Sequence, residues 1–441
     1  MKVSRWYRWT AAIAVAAVIV VALHTCGIGS RVAERDPGEQ QDAKLTLQTV
    51  TLEQPDENGV LLWRLKAKSV NYSPDNQRAE LKELDGEFFQ DGETIYTVVA
   101  DEGEVRQNGE TLFLRGNLVA TNKANELTLE GERLKWQPKQ DKLVMGAFED
   151  EGLLDEDLLD DASSKGAASN DRAKPDGDAD PKIKGSVDKL TTDDLLSANS
   201  AKPPVRGFDP RIEAIANLVT VVNKENRVEL TGGGAAKSKE APWLTFQADS
   251  LTWLTEQARI ETDEPLKVEQ YESKDYQVVS DRIVGQTGQV DLAKNIVTLD
   301  QSVELDSLSQ PLKVKSERAV WDVNGQTVAL NKPVNIEQPT RKITASANQG
   351  SLDLAKEVVY LTGDVKANGE KNDARLAADQ VTWQTGSQDV EAQGNVTYQQ
   401  AANPEISMAG TGAVGNLEKG NFVVTGGESN DGDVVIEFVP E

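Results

Sequence analysis

A ten-residue pattern ending in tryptophan recurs along this chain, and a recurring unit of this kind restricts the fold to a repeat architecture. Four copies carry the Trp: Leu127 to Trp136, Leu244 to Trp253, Leu312 to Trp321 and Ala374 to Trp383. Each reads apolar-x-apolar-x-small-acid-x-apolar-x-Trp. Weaker copies begin at Trp63, Tyr96, Tyr276 and Ile406, and a degenerate one runs from Ile343 to Leu354. Neighbouring starts give a unit of about 32 residues. Its second half has its own outline, apolar-x-Gly-x-apolar, in Leu114-Arg-Gly-Asn-Leu118, Leu361-Thr-Gly-Asp-Val365 and Ala392-Gln-Gly-Asn-Val396. Leu299-Asp-Gln-Ser-Val303 keeps the outline without the glycine.

Strict alternation in segments rich in Val, Leu, Thr and Trp predicts half-buried strands. The alternation also carries a fault. Apolar positions one, three and five share a face, but the next fall at eight and ten, and an odd step reverses the parity. The chain must therefore bulge or turn a corner at the small-acid pair, with the acid facing solvent as turn chemistry. Gly103, Gly116, Gly363 and Gly394 are expected at turns or bulges. A corner at a fixed place in every unit implies bent strands stacked around a long apolar interior. The four repeat tryptophans lie past that corner, as packing pegs between layers.

The N-terminus reads as an address. Lys2, Arg5 and Arg8 precede an apolar run from Ala11 to Leu23, and Trp9 to Ile28 is long enough to span a membrane as one helix. The basic flank places residues 1–30 as a cytoplasmic stub and transmembrane anchor, with the body across the membrane, outside the cytoplasm. A lipoprotein signal ending at Cys26 and a cleaved signal peptide compete for the same segment. A second composition shift covers 149–205. From Glu149 to Asp180 there are twelve acids against three bases and no aromatic residue. Such a stretch cannot bury enough apolar surface to order itself and is expected to be a solvated, disordered insertion. It divides a first β-region, 44–148, from a second, 206–441.

Composition removes most chemistries. The 441 residues hold one His and one Cys, His24 and Cys26, which leaves no Cys/His metal set, no disulfide and no His-based triad. With 47 basic against 73 acidic residues the net charge is −26, the wrong sign for nucleic acid. Asp176, Asp178 and Asp180 alternate like a calcium loop, but Pro181 and Val187 stand where Gly and Glu are required. No catalytic residue, metal or cofactor is expected.

The order of elements after the N-terminal segment resembles a known family. Gly59-Val-Leu-Leu-Trp63-Arg-Leu-Lys-Ala67, Asn71-Tyr72, Val99-Ala100-Asp-Glu-Gly103-Glu-Val105, Leu114-Arg-Gly116-Asn-Leu-Val119 and Leu134-Lys-Trp136 together resemble the LptC family of lipopolysaccharide export. The repeats beyond 206 resemble the OstA/LptA-type β-repeat, and the double length is similar to long cyanobacterial LptC variants. The resemblance implies an all-β fold, an open, taco-like β-jellyroll after a single transmembrane helix. It also implies a non-enzymatic role, passing the acyl chains of lipopolysaccharide along an apolar groove. The implied partners are LptF and LptG of the inner-membrane ABC transporter at one end, and an LptA or LptD jellyroll stacked on an edge strand at the other.

Candidate groove residues are the apolar repeat positions Trp63, Leu65, Val98, Leu127, Leu129, Leu244, Phe246, Val314 and Leu376. In such a fold core and groove are one surface. The charge of −26 favours a lipid with a sparsely phosphorylated head, unless bases cluster at the groove rim. Two other classes fit a β-repeat chain: a structural or adhesive envelope protein, and a polysaccharide-active β-helix using paired carboxylates. A 32-residue unit is long for a β-helix rung, and the corner acid recurs in every copy where catalysis needs one pair.

Overall fold

The computed structural model describes residues 45–73, 78–106, 109–148, 204–370, 373–401, 406–419, 421–426 and 435–438. The expected anchor lies outside the described residues, as do residues 149–203 of the acidic segment. Residues Lys44–Glu441 form one compact unit. Among the described residues no helix is long and apolar enough to cross a membrane.

The 28 strands among the described residues belong to one antiparallel sheet in which each long strand, or pair of short ones, lies between the one before and the one after. Long strands such as Glu93–Arg106, Thr111–Asn122 and Val358–Gly369 bend at mid-length, so one half lies in each of two facing layers. Elsewhere the chain breaks at the bend into two short strands. Examples are Ile212–Ala216 with Leu218–Val222, Val279–Gly285 with Thr287–Asp291, and Ile343–Ala347 with Gln349–Asp353. Seven rungs are split in this way, so the strands make 21 rungs. At about 4.8 Å per rung the stack runs for roughly 95 Å.

The corner falls at the predicted level, but the neighbouring strand builds it. Gly116 and Asn117 take φ of 74° and 45°, Gly363 and Asp364 79° and 46°, and Gly394 and Asn395 74° and 47°. Two consecutive left-handed residues stand opposite a single acid, which is a β-bulge and a sharp turn at once. The register shifts between Thr362 and Val365 against Gln380 and Ala378, leaving Asp379 opposite the pair. The acid faces solvent and ties the corner together: Asn117 Nδ2 donates to Asp101 Oδ2 at 2.6 Å, and Asn395 Nδ2 to Asp379 Oδ2 at 2.8 Å. Gln301 and Ser302 make the same turn without glycine, at φ 64° and 50°. A left-handed non-glycine residue costs roughly 1–2 kcal/mol, which explains why the other copies favour Gly first and Asn or Asp second.

Gly103 is a correction to the sequence reading. It sits within Glu93–Arg106 without a left-handed φ, paired with Leu81 and Leu114. A Cβ there would come within 2.7 Å of Leu84 Cδ2 and 3.0 Å of Leu114 Cδ2, so this glycine makes room for leucines. The repeat copy expected from Tyr276 also starts late: the strand opens at Val279, and Tyr276 lies in the preceding turn with φ 52°.

The acidic segment enters at a corner too. Lys142–Gly146 pairs with the C-terminal half of Thr128–Gln137, and Val205–Phe208 pairs with its N-terminal half. These are the two halves of one rung, and the next rung continues on both. The ladder is unbroken from one β-region to the other.

Because Gly394 requires a left-handed backbone and its Cβ would lie 2.4 Å from Asp379 Oδ2, Gly394→Ala should destabilise by about 1–2 kcal/mol. Gly369→Ala, at a glycine with nothing within 4 Å, should be neutral or stabilising by up to about 1 kcal/mol. Thermal melts of the two variants beside the parent check this; equal effects would contradict the corner assignment.

Candidate functional site

Two rows of cross-strand neighbours line the space between the layers. In one layer the row runs from Leu52 through Leu65, Gly86, Val98, Ala120 and Leu129. It crosses the insertion at Gly207, Ala214 and Ala236. From there it continues through Phe246, Val268, Ile283, Leu305 and Val314. Ile336, Ala345, Ala367, Leu376 and Tyr398 carry it to Met408. Every member is apolar or glycine. Two of the glycines make room for a bulky neighbour that leans over them: a Cβ on Gly86 would meet Leu65 Cδ2 at 2.7 Å, and one on Gly207 would meet Leu129 Cδ2 at 3.1 Å.

Six candidate residues, Leu65, Val98, Leu129, Phe246, Val314 and Leu376, fall on this row. Trp63, Leu127 and Leu244 lie on the same face one step further from the corner, towards the hairpins. All nine are buried in a single apolar cluster. The sequence reading therefore found one wall of the interior.

It missed the second wall. In the facing layer a row passes through Leu112, Trp136, Leu143, Val221, Val228 and Trp253. It proceeds by Ile260, Val290, Val297 and Trp321, then Val328, Leu352, Val359 and Trp383. The four repeat tryptophans are thus every fourth member of one row. The two layers meet through rings: Phe88 stacks on Trp136 at 5.0 Å and 4°, and Tyr398 on Phe422 at 4.3 Å and 25°. The periodicity of Trp was visible in the sequence, but facing rows depend on register across strands.

Opposite the corner, hairpins from the two layers form a mouth, and few polar contacts bridge it. Trp63 Nε1 donates to the Gly109 carbonyl at 3.0 Å and Gln310 Nε2 to the Leu354 carbonyl at 2.7 Å. Gln338 Nε2 donates to the Thr385 carbonyl at 3.3 Å, and Arg341 Nη1 to Glu418 Oε2 at 2.8 Å. Towards the C-terminal end the mouth widens into a cleft of about 530 Å³. Its apolar lining includes Ile343, Ala374, Tyr398, Leu417 and Phe422, with Arg341 and Lys342 at its rim. Each rim base faces an acid, Glu418 for Arg341 and Glu370 for Lys342 at 3.2 Å.

The ionisable groups of the interior lie near the mouth, while the buried hydroxyls of Thr262 and Ser316 stand at the corner. Burial pushes the Tyr96 phenol up to about 12. Asp281 shares a face with Ile283, one step towards the mouth, and burial raises its carboxyl above the ordinary range against the hydroxyls of Ser307 and Ser280. Its Oδ1 has no hydrogen-bond partner. Glu269 belongs to the outer face. Burial alone would raise its pKa, but Lys267 and Arg282, at 3.3 and 2.6 Å, overcome it and hold the carboxylate below its usual value. Beside that charge, and chiefly through burial, the Tyr271 phenol is pushed up to about 12. Among the described residues no cluster of His, Cys, Asp and Glu has the geometry to hold a metal ion.

A family model described as lipopolysaccharide-assembly, LptC-related, matches residues 11–144 and 335–427. No curated protein matches the chain. Among solved structures the chain is similar to LptH, the LptA-homologous periplasmic component of the conserved lipopolysaccharide transport device from Pseudomonas aeruginosa. That likeness has 14% identity and a TM-score of 0.27, covering 30% of this chain and 97% of that one.

Asp281 supplies a pH test. Its folded pKa lies above the unfolded value, so its contribution to stability is full below the unfolded pKa and is lost as pH rises through the folded one. Asp281→Asn should remove this slope and leave the protein more stable near neutral pH. Thermal melts from about pH 4 to 8 read it, and an unchanged slope would refute the assignment.

Proposed function

This chain belongs to the LptC-related lipopolysaccharide-assembly family, and from that premise we propose that it is a periplasmic bridge for lipopolysaccharide. It takes the lipid from the inner-membrane ABC transporter and passes its acyl chains along the interior towards the outer membrane. One observation carries the reading: an apolar row crosses the sheet from Leu52 to Met408 without a polar member and without a break at the insertion. A surface of this kind shields a moving chain at every step, at about 0.8 kcal/mol per CH₂.

Entry is by parting the layers at the mouth while the corner holds. The bridging hydrogen bonds contribute about 0.5–1.5 kcal/mol each, and an exposed pair such as Arg341–Glu418 at most about 1 kcal/mol. Burying one acyl chain of a dozen carbons supplies about 10 kcal/mol, which outweighs the handful of polar contacts to be broken. No step calls for a catalytic residue, because the lipid is moved and not altered.

The ends of the stack suit edge-to-edge assembly. Among the described residues, Leu45–Pro55 is paired on one side, by Leu61–Tyr72, and Asn421–Thr425 and Val435–Phe438 are paired by Ile406–Asn416. Unpaired backbone groups on a terminal strand accept a further strand. In this reading the first strand, nearest the N-terminal anchor, meets LptF and LptG, and the last meets an LptA or LptD jellyroll. The anchor is a single pass with the N-terminus in the cytoplasm.

A photocrosslinking amino acid at Phe246, and separately at Leu65, tests the proposal in cells. Lipopolysaccharide adducts are expected at both. An adduct at Leu65 alone would remove the second β-region from the conduit. Adducts at neither, with normal protein levels, would overturn the transport reading in favour of a structural envelope role.

A further inference from the structure

The tryptophan row carries a second pattern. The indole Nε1 atoms of Trp136, Trp253, Trp321 and Trp383 are all buried, and none has a hydrogen-bond partner. A buried donor left unpaired is unfavourable, and a native structure ordinarily holds only isolated cases. Here the same defect recurs four times at one repeat position. It is not a limit of the fold, since the indole of Trp63 reaches the Gly109 carbonyl. Packing, as in the Phe88–Trp136 stack, uses the ring and not the N–H. The intervening members of the row are aliphatic, and a phenylalanine would offer a ring without the orphan donor.

The position of these tryptophans points to what they would bond. Each is the penultimate residue of its strand, so it stands beside the hairpins at the mouth: Thr128–Gln137, Trp243–Leu254, Leu312–Asp322 and Ala374–Gln384. A lipid with its tails towards the corner and its head outside the mouth places its acyl linkages at this level. Those linkages hold the acceptors nearest the tails.

Resting on the conduit reading, we propose that the four indole N–H groups are hydrogen-bond donors to the acyl carbonyl oxygens of the transported lipid. They form a row of docking points four rungs apart, or about 19 Å. An acyl lipid moving along the interior would exchange one donor for the next, while the apolar walls hold its tails throughout. The row distinguishes acylated lipids from ether-linked ones of equal length, which a purely apolar trough does not.

The test uses the full chain labelled with ¹⁵N at the tryptophan indoles, with resonances assigned by single Trp→Phe variants. The probes are dihexanoyl phosphatidylglycerol and its dihexyl ether counterpart, both below the concentration at which they form micelles. The ester lipid should move the indole proton signals of Trp136, Trp253, Trp321 and Trp383 downfield and leave that of Trp63 nearly in place. The ether lipid should bind without the downfield shift. Trp321→Phe should weaken binding of the ester lipid about two- to tenfold and leave the ether lipid unaffected. Equal shifts with both lipids would overturn the carbonyl bonds while leaving the conduit standing. No perturbation by either would remove the conduit itself and this inference with it.

Discussion

The structure depends on a pair of left-handed residues at the middle of a strand. A flat sheet of strands this long would leave one apolar face in water. The two-residue bulge at Gly116-Asn117, Gly363-Asp364 and Gly394-Asn395 folds the sheet on itself, so that both halves of a strand bury the same side chains. On the neighbouring strand, where one acid stands opposite the pair, side-chain parity reverses, which is why Ala378 and Val381 both point inward although three residues apart. Because the backbone ladder passes through the corner from rung to rung, the two layers cannot separate there. Freedom to open is confined to the mouth.

That asymmetry accounts for the distribution of polar chemistry. Along the outer faces, charges pair across strands, as in Lys68–Glu83, Lys82–Glu102 and Lys315–Glu304. These exposed pairs contribute little to stability and chiefly keep a long sheet soluble. Inside, Asn122, Asp281, Ser307 and Gln338 lie beside the hairpins at the mouth, and only the small hydroxyls of Thr262 and Ser316 are buried at the corner among the described residues. An interior whose middle row is apolar and whose charged and amide groups stand at its lips suits an occupant that is itself amphiphilic. The acidic segment leaves this arrangement intact because it joins the halves of one rung at the corner, where other rungs also break.

Much of this was legible from residues alone. Alternation marked the strands, the odd step marked the corner, and the nine candidate residues proved to share one buried face. The apolar-x-Gly-x-apolar outline already held the Gly-Asn pair that makes the turn, but its role was assigned to the small-acid pair because a bend is seen in the sequence only as a change of parity. Parity changes only on the strand that carries the acid, as between Ala378 and Val381, while the strand with the left-handed pair keeps it, Leu361 and Val365 being four residues apart, so the fault in the alternation marks the strand that does not make the turn. Gly103 was misread for a related reason. Turn glycines and packing glycines look alike until the neighbour's side chain, here Leu84 and Leu114, is in place.

The sequence by itself determined the repeat, the strand character of each unit, the level of the corner and the apolar identity of the interior, because these are local periodicities written along a single strand. Only the tertiary structure decided that the two β-regions form one ladder, that the tryptophans align in a row of unpartnered donors, and that the mouth is closed by so few contacts. Each of these depends on which residue of one strand stands beside which residue of the next. Register is set by the sum of many weak pairings across the sheet, and no single strand records it.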